Sequence, residues 1–157
     1  MDNNTAPDPL TGVIPPEIKH LAKLLNLKLS NNMLGSDMVG DDAMPYGGIP
    51  DEIGTLTDLK TLQLDGNNLH GEIPPEIGNL TNLKALLLAD NVLTGMIPPE
   101  LAMLEKLANI SLSGNMLEGC IPDALEGIEK HDLAMIKRSD SNTDGLPLCS
   151  ESDDLEE

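Results

Sequence analysis

Two cysteines, Cys120 and Cys149, and three histidines, His20, His70 and His131, are the residues of this 157-residue chain best suited to redox, metal or proton-transfer chemistry. The histidines are far apart and share no metal-ligand spacing, and two cysteines without clustered histidine make a poor zinc site. The thiols admit two readings, a pair closing a C-terminal loop in an oxidising compartment or two free thiols in a reducing one. Free thiols are preferred, because the start MDNNTAPDPL has neither the basic nor the apolar region of an export signal. No glycine-rich phosphate loop, no G-x-S-x-G and no histidine beside a nucleophile can be found. The chain therefore reads as a non-enzyme with no catalytic residue, metal or cofactor. Acids recur at Glu17, Glu52, Glu76, Glu100 and Asp123. Such a row could hold a cation, but a solubilising face is the commoner outcome. The sequons at Asn3, Asn79 and Asn109 matter only in a secreted chain.

Charge narrows the classes further. Acids outnumber bases 27 to 9, giving a net charge of −18. Nucleic acid and anionic membrane surfaces both call for a basic footprint and are excluded as partners. Tyr46 is the sole aromatic, which removes base-stacking platforms. No apolar run approaches the roughly 18 residues of a membrane span, so no membrane insertion is expected.

The positions of these residues are set by a repeat. G-x-I-P occurs at Gly12, Gly47, Gly71, Gly95 and Gly119, the last four 24 residues apart and the first gap 35, which is 24 plus 11. Leucine columns keep the same phase: Leu24, Leu59, Leu83, Leu107; Leu27, Leu62, Leu86, Ile110; Leu29, Leu64, Leu88, Leu112; Leu34, Leu69, Leu93, Leu117. An asparagine column runs Asn32, Asn67, Asn91, Asn115. A fixed period of this length marks a stacked solenoid. Alternation in Leu62-Gln63-Leu64 points the apolar side chains to one face of a short strand. The Asn amide turns the chain and satisfies backbone groups in the bend. Gly then allows a tight corner, and Pro-Pro-Glu-Ile suits a single 3-10 or helical turn. One unit cannot bury its own leucines, so stability comes from stacking.

These residues resemble the plant-type leucine-rich repeat, most clearly in Leu69-His-Gly-Glu-Ile-Pro-Pro-Glu-Ile-Gly-Asn-Leu-Thr-Asn-Leu83. Proteins similar to this include ectodomains of receptor-like kinases, receptor-like proteins and polygalacturonase inhibitors. The resemblance implies an α/β solenoid, a right-handed coil with short parallel strands on the concave face and short helical turns on the convex one. It also implies a protein or peptide partner and an extracellular or cell-surface setting, whereas the start of the chain alone reads as cytoplasmic. The family's N-terminal cap, with its cysteine pair and aromatic, is missing. Repeats are expected over 10–136, after a disordered 1–9 and with an insertion near 35–46 that contains Tyr46. A degenerate fifth strand is expected at Ala134-Met-Ile136, then a cap-like 137–149 and an acidic disordered tail, 150–157. The last seven residues, ESDDLEE, hold five acids; without them the net charge is still −13. The chain enters mid-repeat at Leu10, which leaves the edge at Leu24 to Leu29 open to pairing.

The candidate binding face consists of strand residues pointing away from the leucines. Those chosen are Lys28, Thr61, Gln63, Asp65, Ala85, Leu87, Asp90, Asn109 and Ser111, with Gln63, Leu87 and Asp90 near the centre. The set is small and polar, without the aromatics and Arg that dominate most interfaces. Two alternatives remain open. One is a structural piece of a larger receptor-like protein with no ligand of its own. The other is ice or flat-surface binding through Thr rows, although Thr57 and Thr81 are followed in phase by Glu105.

Overall fold

A computed structural model describes residues 8–36, 47–133 and 146–152. Ten strands and five 3-10 turns alternate along them, ending in a short helix, α1 (Cys149–Ser152). Five strands form one parallel sheet: β2 (Asn26–Lys28), β4 (Thr61–Gln63), β6 (Ala85–Leu87), β8 (Asn109–Ser111) and β10 (Lys130–His131), in spatial order β10-β8-β6-β4-β2. The register puts Leu27, Leu62, Leu86 and Ile110 side by side, so the sequence period becomes a physical stack.

Each unit then folds back through a 3-10 turn: Pro16–His20, Asp51–Thr55, Pro75–Asn79, Pro99–Met103 and Asp123–Leu125. Proline at or just before the first position pre-sets φ for these turns. Their close stacking depends on missing side chains. A Cβ on Gly78 would lie 2.7 Å from the Glu100 carbonyl oxygen, and one on Gly54 would collide with the Glu76 carbonyl. Between sheet and turns lies a leucine and isoleucine core in which Leu62, Leu64, Leu86, Leu88, Ile110 and Leu112 are fully buried.

The structure adds a second ladder that the repeat reading did not contain. β5 (His70–Glu72), β7 (Val92–Met96) and β9 (Met116–Glu118) pair in parallel, and β1 (Thr11–Gly12) pairs with β3 (Met33–Leu34). These strands lie at or just before the G-x-I-P corners, where a tight corner but no strand was expected.

Among the described residues the fifth strand of the sheet lies at Lys130–His131, with His131 opposite Ile110. That step is three residues shorter than the period, and Leu133 is the buried residue that follows the strand. The strand expected at Ala134-Met-Ile136 lies outside the described residues, as do Tyr46 and most of the insertion. One expectation at the C-terminal end is corrected: the cysteines are not free thiols, and Cys120 and Cys149 form a disulfide. Backbone pairing brings them together. Ile121 N–H donates to Pro147 O at 2.7 Å and Cys149 N–H to Ile121 O at 2.9 Å, flanking a parallel bridge between Ile121 and Leu148. Leu146 is buried behind it.

Candidate functional site

The asparagine column holds the sheet to its turns. Asn91 is buried; its Oδ1 accepts from Leu69 N–H at 3.0 Å, and its Nδ2 donates to Leu64 O at 3.0 Å and Leu88 O at 3.1 Å. Asn67 does the same with Leu34 N–H, Leu29 O and Leu64 O, and Asn115 with Leu93 N–H, Leu88 O and Leu112 O. Asn32 accepts from Leu10 N–H at 3.0 Å and donates to Leu29 O. Each amide therefore ties its own turn to the unit before it. The amide can do this because it is donor and acceptor at once.

On the outer side of this framework the chosen residues fall into rows. Thr61, Ala85 and Asn109 are direct neighbours, as are Lys28, Gln63, Leu87 and Ser111. From Thr61 to Ser111 the side chains are half-exposed; Lys28 is exposed. Strand alternation explains why, since Leu62, Leu86 and Ile110 between them point to the core.

Three chosen residues have structural partners or constraints. Asp65 Oδ1 accepts from Ser30 Oγ at 2.7 Å. Ser111 Oγ donates to Asp132 Oδ2 at 2.6 Å. Asp90 has φ 53°, and its column mates share the left-handed region: Asn31 at 56°, Gly66 at 67°, Gly114 at 71°. The backbone bends the same way in every unit, and Asn, Asp and Gly are the residues that tolerate it. Asp90 is thus accounted for by the turn.

Asp132 is a residue the sequence reading missed. Its carboxylate closes the end of the sheet, accepting from Leu112 N–H at 2.8 Å and Ser113 N–H at 2.9 Å besides Ser111. Burial works against its charge. The hydroxyls of Ser111 and Ser113 and the two backbone N–H groups outweigh that cost, so its pKa falls below the ordinary value. A three-residue slip in the repeat hid this position, because the carboxylate lands where a strand residue was expected.

The acidic row sits on the first turns of the 3-10 segments, at Glu17, Glu52, Glu76, Glu100 and Asp123. Asp123 accepts from Ser150 Oγ at 2.8 Å, which helps hold the C-terminal segment. Among the described residues no group of three or more His, Cys, Asp or Glu could hold a metal ion. Nor is any helix there long and apolar enough to cross a membrane.

A polar strand face on a stacked parallel coil is the architecture of a repeat-built scaffold. The chain belongs to the leucine-rich repeat family. A family model described as leucine rich repeat matches residues 57–117. A search of curated proteins finds no match. Among solved structures, the chain is similar to the ectodomain of the Arabidopsis thaliana membrane receptor kinase GASSHO1/SCHENGEN3, in complex with CASPARIAN STRIP INTEGRITY FACTOR 2. Identity there is 39% over 74% of this chain and 13% of that one, with a TM-score of 0.64. A chain of the Arabidopsis thaliana BIR3–SERK2 complex is 35% identical over 88% of this chain and 68% of that one, with a TM-score of 0.66. A plant ice-binding protein is 35% identical over 77% of this chain and 36% of that one, with a TM-score of 0.64. The fold is that of plant receptor ectodomains. The chain spans 13% of the first of these structures and 68% of the second.

Proposed function

We propose that the chain is a non-catalytic module that recognises a protein or peptide through the outward face of its five-stranded sheet. The observation that carries this reading is the in-register row Lys28, Gln63, Leu87, Ser111, with Thr61, Ala85 and Asn109 beside it. An extended peptide laid across parallel strands would meet a polar, half-exposed surface with Leu87 as its one large apolar contact. Because the backbone beneath is tied by the asparagine column, little ordering entropy is lost on binding. The related ectodomain in complex with CASPARIAN STRIP INTEGRITY FACTOR 2 and the related BIR3–SERK2 complex support a partner of this class. The disulfide favours an oxidising compartment outside the cytosol.

The test is a pull-down from extracellular extract comparing the wild-type chain with a Gln63→Ala/Leu87→Ala variant. Asp90 is exchanged only for Asn, since Ala would strain its turn. Partners retained by the wild type and lost by the variant at equal melting temperature support the proposal; identical capture by both refutes it. Likeness to an ice-binding protein raises that activity as a second reading. The Thr57 and Thr81 row is interrupted by Glu105, so no thermal hysteresis is expected.

A further inference from the structure

One step in the stack of turns is looser than the others. Gly54 and Gly78 hold the same place in successive units, and the space a Cβ would need there is taken by the carbonyl of the next turn, at Glu76 and Glu100. In the following unit that place belongs to Ala102. Its methyl forbids an equally close approach, and the turn beyond it, Asp123–Leu125, has three residues where the others have five. Between Pro99–Met103 and Asp123–Leu125 the coil parts into a groove of about 430 Å³, within the range of ligand sites. Ala102, Ala124 and the Cys120–Cys149 disulfide line it. So does Met96, which is 64% exposed and lies along Gly119, where a Cβ would sit 3.1 Å from its Cγ. A methionine there makes a soft, adaptable lip.

Asp123 is the one charged residue lining the groove among those described. Its Oδ1 accepts from Ser150 N–H at 3.2 Å and from Ser150 Oγ at 2.8 Å, while Oδ2 has no donor among the described residues. Glu118 pairs in register with Met96, and the whole chain carries −18. An apolar groove with an unsatisfied carboxylate oxygen calls for an apolar group beside a cation. We propose that it takes an aliphatic side chain of a partner peptide in which a basic residue follows, the cation meeting Asp123 Oδ2. This rests on the reading of the chain as a peptide-binding module. It adds a contact on the turn side of the coil, across the core from the strand face. The chain's own end, Asp153 to Glu157, has four acids and is repelled by such a site.

Methyl NMR of the full, disulfide-bonded chain tests this. Met and Ala methyls are labelled, and acetyl-Leu-Lys-amide, acetyl-Leu-Gln-amide and acetyl-Leu-Glu-amide are titrated in turn. The lysine peptide should shift the Met96, Ala102 and Ala124 signals saturably. The glutamine peptide should bind up to about fivefold more weakly, and the glutamate peptide more weakly still. Raising ionic strength from about 0.01 M to about 1 M should remove most of that difference. Asp123→Asn keeps an acceptor for Ser150 and should make the three peptides bind alike. Ala124→Leu, at an exposed position, fills the groove and should abolish the shifts at Met96 and Ala102. No saturable shift with the lysine peptide overturns the proposal, as does equal affinity of the wild-type chain for all three. Shifts confined to Ala85, on β6, overturn it too, and leave the strand-face reading standing. The proposal also fails if affinity rises tenfold or more on dilution, on deleting 153–157 or in Lys137→Gln/Arg138→Gln, since a second copy or the chain's own segment is then the occupant.

Discussion

Replacing Asn91 with Leu tests how the units are held together. The side chain is buried, with 6% of its surface exposed, and Leu is close enough in size that no large cavity opens. The loss is polar. Leu64 O keeps the Asn67 amide as donor and Leu88 O keeps that of Asn115, so both carbonyls stay paired. Leu69 N–H has no such substitute, because Asn91 Oδ1 is its acceptor within a fully buried residue. An orphaned buried donor costs about 1–3 kcal/mol, and the weakened carbonyl pairing adds about 0.5–1.5 kcal/mol. A total near 3 kcal/mol corresponds to a fall in Tm of about 6–12 °C for a chain of this size. Lys84→Ala, on the exposed side of the same unit, should stay within about 0.5 kcal/mol. Thermal unfolding by circular dichroism on both variants is the assay, with Asn91→Asp as a third that keeps the acceptor but loses the donors. Equal Tm for Asn91→Leu and Lys84→Ala would refute the assignment of the column as the link between units.

Asp132→Ala should cost about 1–2 kcal/mol at neutral pH by orphaning Leu112 N–H. Because the folded-state pKa is lowered, the stabilisation is present above about pH 4 and is lost as pH falls through the folded value, so the Tm gap to wild type must shrink in acid. Cys149→Ser opens a link spanning 29 residues and should destabilise by about 3–4 kcal/mol, read as a shift in the urea midpoint. Gly78→Ala places a methyl 2.7 Å from the Glu100 carbonyl and should cost about 1–3 kcal/mol, whereas Gly127→Ala, with open space around it, should be silent in the same melt.

The leucine and asparagine columns were legible in the sequence because they recur in phase and their chemistry is single-purpose. Leu62, Leu86 and Ile110 can serve only the core, and an asparagine before each corner has few other uses. The β5-β7-β9 ladder was not legible, since it is held by backbone pairing and its side chains, such as His70, Glu72 and Met96, carry no strand pattern. The outward direction of Asp90 was legible from strand alternation; the left-handed backbone beneath it was not. Asp132 escaped because its unit is three residues short of the period. The Cys120–Cys149 pair was one of two open readings, and what decides it, a C-terminal segment returning to pair with Ile121, leaves no mark in the repeat. Periodicity predicts what repeats and is silent where it breaks.

Methyl contacts measured by NMR in solution test the stack itself most directly. With Leu and Ile methyls labelled, cross-peaks are predicted for Leu27–Leu62, Leu62–Leu86 and Leu86–Ile110, each pair being neighbours across one strand spacing. None is predicted between Leu62 and Ile110, which stand two spacings apart, about 9.6 Å along the ladder. Absence of the neighbour peaks, or a direct Leu62–Ile110 peak, would contradict the side-by-side register on which the binding face depends.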